Sequence, residues 1–136
     1  LRKLISSGAY RSDKVSQLVK GGLKKDEAEI FLHFSRAIRL AAEDDAIRKG
    51  TTYDLCYCNM SSDGFDKNRH FAFLRDYEEH TLLVAANFSN RDAVIKLTIP
   101  QHAFDWMGIP ETESLHPGKI IEVTVPRMDA VLIQII

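Results

Sequence analysis

Cleavage of a glycosidic bond needs two carboxyl groups flanking it, one as acid and one as nucleophile or base. The acidic residues are therefore the first place to look for chemistry in this chain. They occur as Asp44-Asp45, Glu78-Glu79 and the spaced Glu111 and Glu113. None has neighbours that suggest an active site. Asp44-Asp45 falls where a helical pattern ends, Glu78-Glu79 falls at a hairpin turn, and all read as solvated turn residues. Gly-x-Ser-x-Gly, the P-loop and Gly-x-Gly-x-x-Gly are absent from the sequence. The histidines His33, His70, His80, His102 and His116 are scattered. His33 lies beside an apolar helix face and reads as packing. Cys56 and Cys58 stand two apart on an expected strand, so both would point to one face. That arrangement makes a mutual disulfide awkward and leaves two free thiols. A zinc site wants four ligands. The nearest histidine is His70 and there is no second cysteine pair, so neither a metal nor a cofactor is expected.

Three other positions draw notice. Asn87 interrupts an apolar strand. It reads as a structural asparagine bonding nearby backbone groups to fix a turn. Arg75 faces away from its neighbour Asp76 and is expected to pair with an acid on another element, at a domain interface. Sugar-binding surfaces use exposed rings that stack on pyranose faces beside polar groups for the hydroxyls. The segment Phe104–Trp106 is the one candidate for that chemistry, with Trp106 and Phe104 as rings and His102 and Asp105 as polar neighbours. The plainer reading, which we prefer, is a loop anchor that plugs the edge of a sheet.

These residues need elements to hold them. Ser12 and Asp13 can cap a short helix carrying Val15, Leu18 and Val19, stopped by Gly21-Gly22. Asp26 starts a longer helix to about Leu40, with Glu29 in capping-box position. Ile30, Phe31, Phe34, Ile38 and Ala41 follow at helical spacing, a face that needs a partner. From Thr51 the period becomes two. Tyr53, Leu55 and Tyr57 alternate with Asp54, Cys56 and Cys58. Phe71–Ser89 forms a hairpin apolar on both faces, as in a sheet covered on each side. Ile95, Leu97 and Ile99 make a further strand, then Ile121, Val123 and Val125, then Ala130 to Ile136. Between them, residues 102–107 suit a helical turn. The expected fold is mainly β: a Greek-key-like antiparallel sandwich of about six strands, residues 51–136, preceded by a helical segment, residues 1–50.

Composition narrows the classes. The chain has 136 residues, a 45% hydrophobic fraction and a net charge of -1, the profile of a packed domain. That balance gives no charge-driven attraction to nucleic acid or to an anionic membrane, and neither partner is expected. No apolar run approaches the roughly 20 residues that span a bilayer. The start, LRKLISSGAY, has no apolar signal core and no Met, and reads as that of a fragment or processed product. The unpaired thiols leave the compartment open.

Several segments, in order, resemble one family. Ala46–Gly50 followed by YDLCYCN (Tyr53–Asn59) is similar to the junction between the barrel of alpha-amylase-type glycoside hydrolases and their C-terminal β-domain. His70–Arg75 is similar to a family strand with an aromatic-Arg pattern, and Val84–Ser89 to its Asn-Phe-Ser strand end. Ile99–Phe104 resembles a segment of bacterial, Bacteroides-type members. The resemblance covers roughly Lys24 to Ile136, although Cys56 and Cys58 stand where other residues would be expected. It implies that the helix from Asp26 is the last barrel helix, and that the family's catalytic carboxylates lie upstream, with no matching position here. On that reading the chain is non-catalytic. It packs against and stabilises a barrel acting on starch or maltodextrin, through Ile30, Phe31, Phe34, Ile38 and Arg75. Without a barrel, the helix face would repack on the sandwich or form a homodimer. Two other readings stay open: a free-standing carbohydrate-binding module centred on Trp106, and an assembly module docking through the N-terminal helices.

Overall fold

The computed structural model describes residues 25–136. The chain divides into two units, Leu1–Asp44 and Asp45–Ile136. The short helix expected around Ser12 to Val19 lies outside the described residues.

Helix α1, Lys25–Glu43, is the described part of the first unit and runs a turn past the expected end. Asp26 and Glu27 sit in its first turn, where carboxylates complement the positive helix end. The Ser35 hydroxyl donates to the Phe31 carbonyl at 2.8 Å, and Arg39 meets Glu43 at 3.5 Å. The helix buries none of its residues. Ile30, Phe34 and Ile38 are exposed, Ile38 by 68%, and Phe31 is half-buried.

The second unit begins with α2, Asp45–Lys49. Asp45 therefore opens a helix instead of ending one, and its carboxylate takes Arg48 at 2.6 Å and Lys49 at 2.9 Å. Then come β1 (Thr51–Asp54), α3 (Cys56–Asn59), β2 (His70–Tyr77), β3 (His80–Asn87), β4 (Ala93–Thr98), α4 (Gln101–Met107), β5 (Ile120–Val125) and β6 (Asp129–Gln134). All pairings are antiparallel, in one sheet ordered β1-β2-β3-β6 and a second of β4 and β5. The chain leaves the first sheet after β3, builds the second, and returns to add β6 beside β3. This is the expected mainly-β architecture: six strands in two antiparallel sheets, sandwich-like, with a helix on the N-terminal side.

The register follows from the apolar pattern. Ala72 and Leu74 on β2, with Leu83 and Ala85 on β3, turn into the core and meet Ile95, Leu97, Val123 and Val125 of the second sheet. Ala103 and Phe104 from α4 join the same core. The hairpin occupies the centre of its sheet, and Tyr77 pairs with His80 across the Glu78-Glu79 turn, Glu78 taking a positive φ of 57°. Its other face is only partly covered: Phe73 is half-buried and Phe71 is 45% exposed.

Two expectations are corrected. The strand does not continue through Cys56 and Cys58. β1 stops at Asp54 and residues 56–59 turn helical. The Asp54 carboxylate accepts the Cys56 N–H at 2.8 Å, and Asn59 donates to the carbonyls of Leu55 (2.8 Å) and Thr98 (3.0 Å). Side-chain bonds to nearby backbone outcompete a strand ladder here. The cysteines are free thiols as expected.

Arg75 does not meet an acid. Its guanidinium donates to the Ala46 carbonyl at 2.9 Å, to the Ile47 carbonyl and to the Thr52 hydroxyl. Near the end of α2, Arg75 donates to the Ile47 carbonyl and shares the Ala46 carbonyl with the Gly50 N–H, which reaches it at 3.1 Å. Gly50 completes this corner. A Cβ there would stand 2.3 Å from the Ala46 carbonyl oxygen and 2.7 Å from that of Asp76, so only glycine lets α2 end this close to β2.

Candidate functional site

Helix α4 follows the extended Pro100 and ends at Gly108, whose φ of 68° lets its N–H reach the Phe104 carbonyl, a common glycine stop. On a helix of 3.6 residues per turn, neighbours two apart point to opposite sides and neighbours four apart share a face. Ala103 and Phe104 accordingly enter the core, whereas His102 and Trp106 stand together on the outer face.

That outer face meets β1, an edge strand, and α3. The Tyr53 ring lies 5.9 Å from Trp106, 5.8 Å from His102 and 6.2 Å from Tyr57, centroid to centroid. The Tyr53 hydroxyl shares hydrogen bonds with the Tyr57 hydroxyl at 2.5 Å and with His102 Nδ1 at 3.1 Å. Tyr53 is only 7% exposed, while Trp106 and Tyr57 are 56% and 53% exposed. The result is an open groove of about 360 Å³ lined by Thr52, Tyr53, Asp54, Tyr57, His102 and Trp106.

The site's electrostatics suit hydrogen bonding more than proton transfer. Burial, helped by the Tyr57 hydrogen bond, pushes the Tyr53 hydroxyl far above its ordinary range, so it stays protonated. Burial also raises the thiols of Cys56 and Cys58, which are thiols and not nucleophilic thiolates at neutral pH. The groove carries one carboxylate, Asp54, and a glycosidase mechanism needs two. Among the described residues, no group of three or more His, Cys, Asp or Glu could hold a metal ion, and no helix is long and apolar enough to cross a membrane.

The structure thus brings together two of the four residues marked as sugar contacts, Trp106 and His102. Phe104 drops out because it is 2% exposed. Asp105 is exposed but is bound to Gln101 Nε2 at 2.9 Å and does not line the groove. Tyr53, Tyr57 and Asp54 escaped the sequence reading because their partners His102 and Trp106 lie far along the chain, His102 49 residues beyond Tyr53, and nothing local marks β1 as the edge strand beside α4. The spacing of four between Tyr53 and Tyr57 gave no signal, because residues four apart share a face on a strand and on a helix alike. Asn87 is buried and ties the ends of β3 and β5. Its amide donates to the carbonyls of Arg91 (2.8 Å), Val125 (3.2 Å) and Pro126 (3.3 Å), and its Oδ1 accepts the Ser89 N–H at 2.9 Å.

Two of the other grooves among the described residues bear on the sequence expectations. One is apolar, lined by Ile47, Thr52, Phe71, Phe73 and Arg75, with the rings of Phe71 and Phe73 5.5 Å apart. The other includes Asp76, Glu78 and Glu79. Glu78 and Glu79 are exposed turn residues, and Asp76 accepts the Thr81 hydroxyl at 2.5 Å.

The chain matches no model of a known protein family, no curated protein and no solved structure.

Proposed function

We propose that the second unit is a non-catalytic β-domain of an alpha-amylase-like glycoside hydrolase acting on α-glucans, and that it packs against and stabilises a catalytic barrel whose last helix is α1. The observation that carries this reading is apolar surface left uncovered. Phe71, Phe73 and Ile47 form an apolar strip on the outer face of the four-stranded sheet, and Ile30, Phe34 and Ile38 form another along α1. Contiguous exposed apolar surface of this kind marks a docking face. The ordered resemblance from Ala46 to Phe104 supplies the kind of partner. Arg75 lines the same strip while its guanidinium holds the end of α2 and Thr52 in place.

The test is the coding DNA upstream of Leu1. The reading expects an in-frame barrel carrying three catalytic carboxylates. That barrel, expressed alone, should aggregate or lose activity on soluble starch, and residues 25–136 attached should restore it. An unrelated upstream sequence, or a barrel indifferent to the attachment, overturns the reading. In that case the exposed helix stripe favours an assembly module, which deletion of residues 1–50 would disconnect from its partner.

A further inference from the structure

The groove between β1 and α4 selects a ligand by three properties. The first is shape. Trp106 and Tyr57 offer exposed ring faces, and α4 anchors Trp106 through Ala103 and Phe104 in the core, so the platform is held before any ligand arrives. Flat aromatic faces take ligands that present a flat set of C–H groups.

The second property is the hydrogen-bonded chain Tyr57–Tyr53–His102. If Tyr53 donates to His102 Nδ1, it accepts from Tyr57, and the chain ends in an acceptor at the Tyr57 oxygen and a donor at His102 Nε2. With the protons reversed, Tyr57 becomes the donor end and Nε2 the acceptor end. Either way the groove presents one of each. A hydroxyl group both donates and accepts, so a polyhydroxyl ligand satisfies the chain in either sense. A proline-rich peptide, the other common guest of Tyr and Trp surfaces, brings carbonyl acceptors and can satisfy only the donor end.

The third property is charge. The lining contains one carboxylate, Asp54, and no Lys or Arg. Such a lining disfavours phosphorylated or otherwise anionic ligands.

We propose that this groove is a binding site for a neutral oligosaccharide, with one pyranose ring stacked on the Trp106–Tyr57 platform and its hydroxyls bonded to the Tyr57 and His102 ends of the chain and to Asp54. That the oligosaccharide is an α-glucan rests on the domain reading given above.

Trp106 is the chain's sole tryptophan, so the intrinsic emission of the full 136-residue chain reports on this groove alone. It should be titrated separately with maltoheptaose, cellohexaose and decaproline. The expected result is a saturable blue shift with maltoheptaose. Calorimetry should show affinity reduced at least tenfold in Trp106→Ala and Tyr57→Ala and largely kept in Trp106→Phe, with thermal midpoints close to wild type. Binding of cellohexaose in place of maltoheptaose, with the same loss in Trp106→Ala, keeps the oligosaccharide site and overturns its assignment to α-glucans. Binding of decaproline alone, binding that survives Trp106→Ala, or no binding of either sugar overturns the site. The barrel-support reading would then stand or fall on the upstream DNA.

Discussion

Two kinds of polar network sit a short distance apart in the second unit, and they are built differently. Around Asn87, Asn59 and Arg75, the side chains bond almost wholly to backbone groups of other elements: Asn87 to β5 and the turn after β3, Asn59 to Leu55 and Thr98, Arg75 to the end of α2. Among the described residues, no buried side-chain nitrogen or oxygen lacks a partner. These networks are closed. The Tyr57–Tyr53–His102 chain bonds side chain to side chain, is anchored at a buried middle, and opens at both ends beside exposed rings. A closed network fixes where strands and helices end, whereas an open one leaves capacity for a guest. Breaking each kind in turn measures the difference.

The largest effect belongs to the closed kind. Asn87→Ala removes one acceptor and donors serving three carbonyls, at a site with no exposure. A buried group stripped of its partner costs about 1–3 kcal/mol. Urea denaturation should therefore show a loss of roughly 3 kcal/mol, limited by the water that can reach the Ser89–Arg91 turn. A loss under about 1 kcal/mol would mean that the strand ends hold without Asn87.

Arg75→Met comes next. It keeps most of the aliphatic stem and removes the donors to Ala46, Ile47 and Thr52. Hydrogen bonds from charged donors contribute about 1.5–3 kcal/mol each, but the site is partly solvated and water replaces some of them. A destabilisation of about 1–2 kcal/mol is expected. Arg75→Lys should rescue little, because one ammonium cannot span three acceptors arranged around a planar fork. Full rescue by Lys would reduce Arg75 to a point charge and remove it from the closed class.

The sequence revealed the strands better than the networks. Ile95 and Leu97, Val123 and Val125, and the Phe71–Ser89 hairpin announce themselves by alternation, because a sheet with one face on a core needs every second residue apolar. The same rule misled at Tyr53–Cys58, where alternation is perfect but the strand ends early. What ends it is a set of side-chain bonds from Asp54 and Asn59, and their partners lie up to 39 residues away in Thr98. Pairings at that distance leave no local trace. Half of the site suffered from this. Trp106 and His102 stood out as a lone tryptophan and a nearby histidine in an irregular connection. Phe104 came along wrongly, because the helical turn expected over residues 102–107 did not say which of its sides would meet the core. Arg75 had a visible charge but an unforeseeable partner, since carbonyls at a helix end do not mark themselves in the sequence.

A smaller effect tests a closed contact that depends on protonation. His70 Nδ1 accepts the Asp66 N–H at 3.0 Å, with the Phe65 ring 5.8 Å away. Burial pulls the imidazole below its ordinary value, Asp66 opposes this, and Arg69 adds to it. The unfolded chain, near the usual histidine value of about 6.5, then binds the proton more readily than the folded one. Stability from this group is complete above pH 6.5 or so and declines as the pH falls through that value and towards the lower folded one. The urea midpoint of wild type should drop faster than that of His70→Gln between pH 7.5 and about 5. Parallel curves would show that the imidazole titrates as freely in the folded chain as in the unfolded one.

The smallest effect on folding falls on the open network, which makes it the sharpest use of the comparison. Tyr57→Phe removes one hydroxyl from a residue that is 53% exposed, and water reaches the vacated end of the chain. Surface changes of this kind usually stay within about 0.5 kcal/mol, and urea denaturation should show no more. The Tyr53 hydroxyl keeps His102 as its second partner, so its burial remains compensated. Only one end of the donor–acceptor pair is lost, and maltoheptaose affinity should fall by several-fold while the Trp106 platform still gives a blue shift. A Tyr57→Phe variant destabilised as much as Asn87→Ala would place the tyrosine chain with the closed networks. Its polar atoms would then be part of the fold's own fastening, with no capacity left over for a ligand.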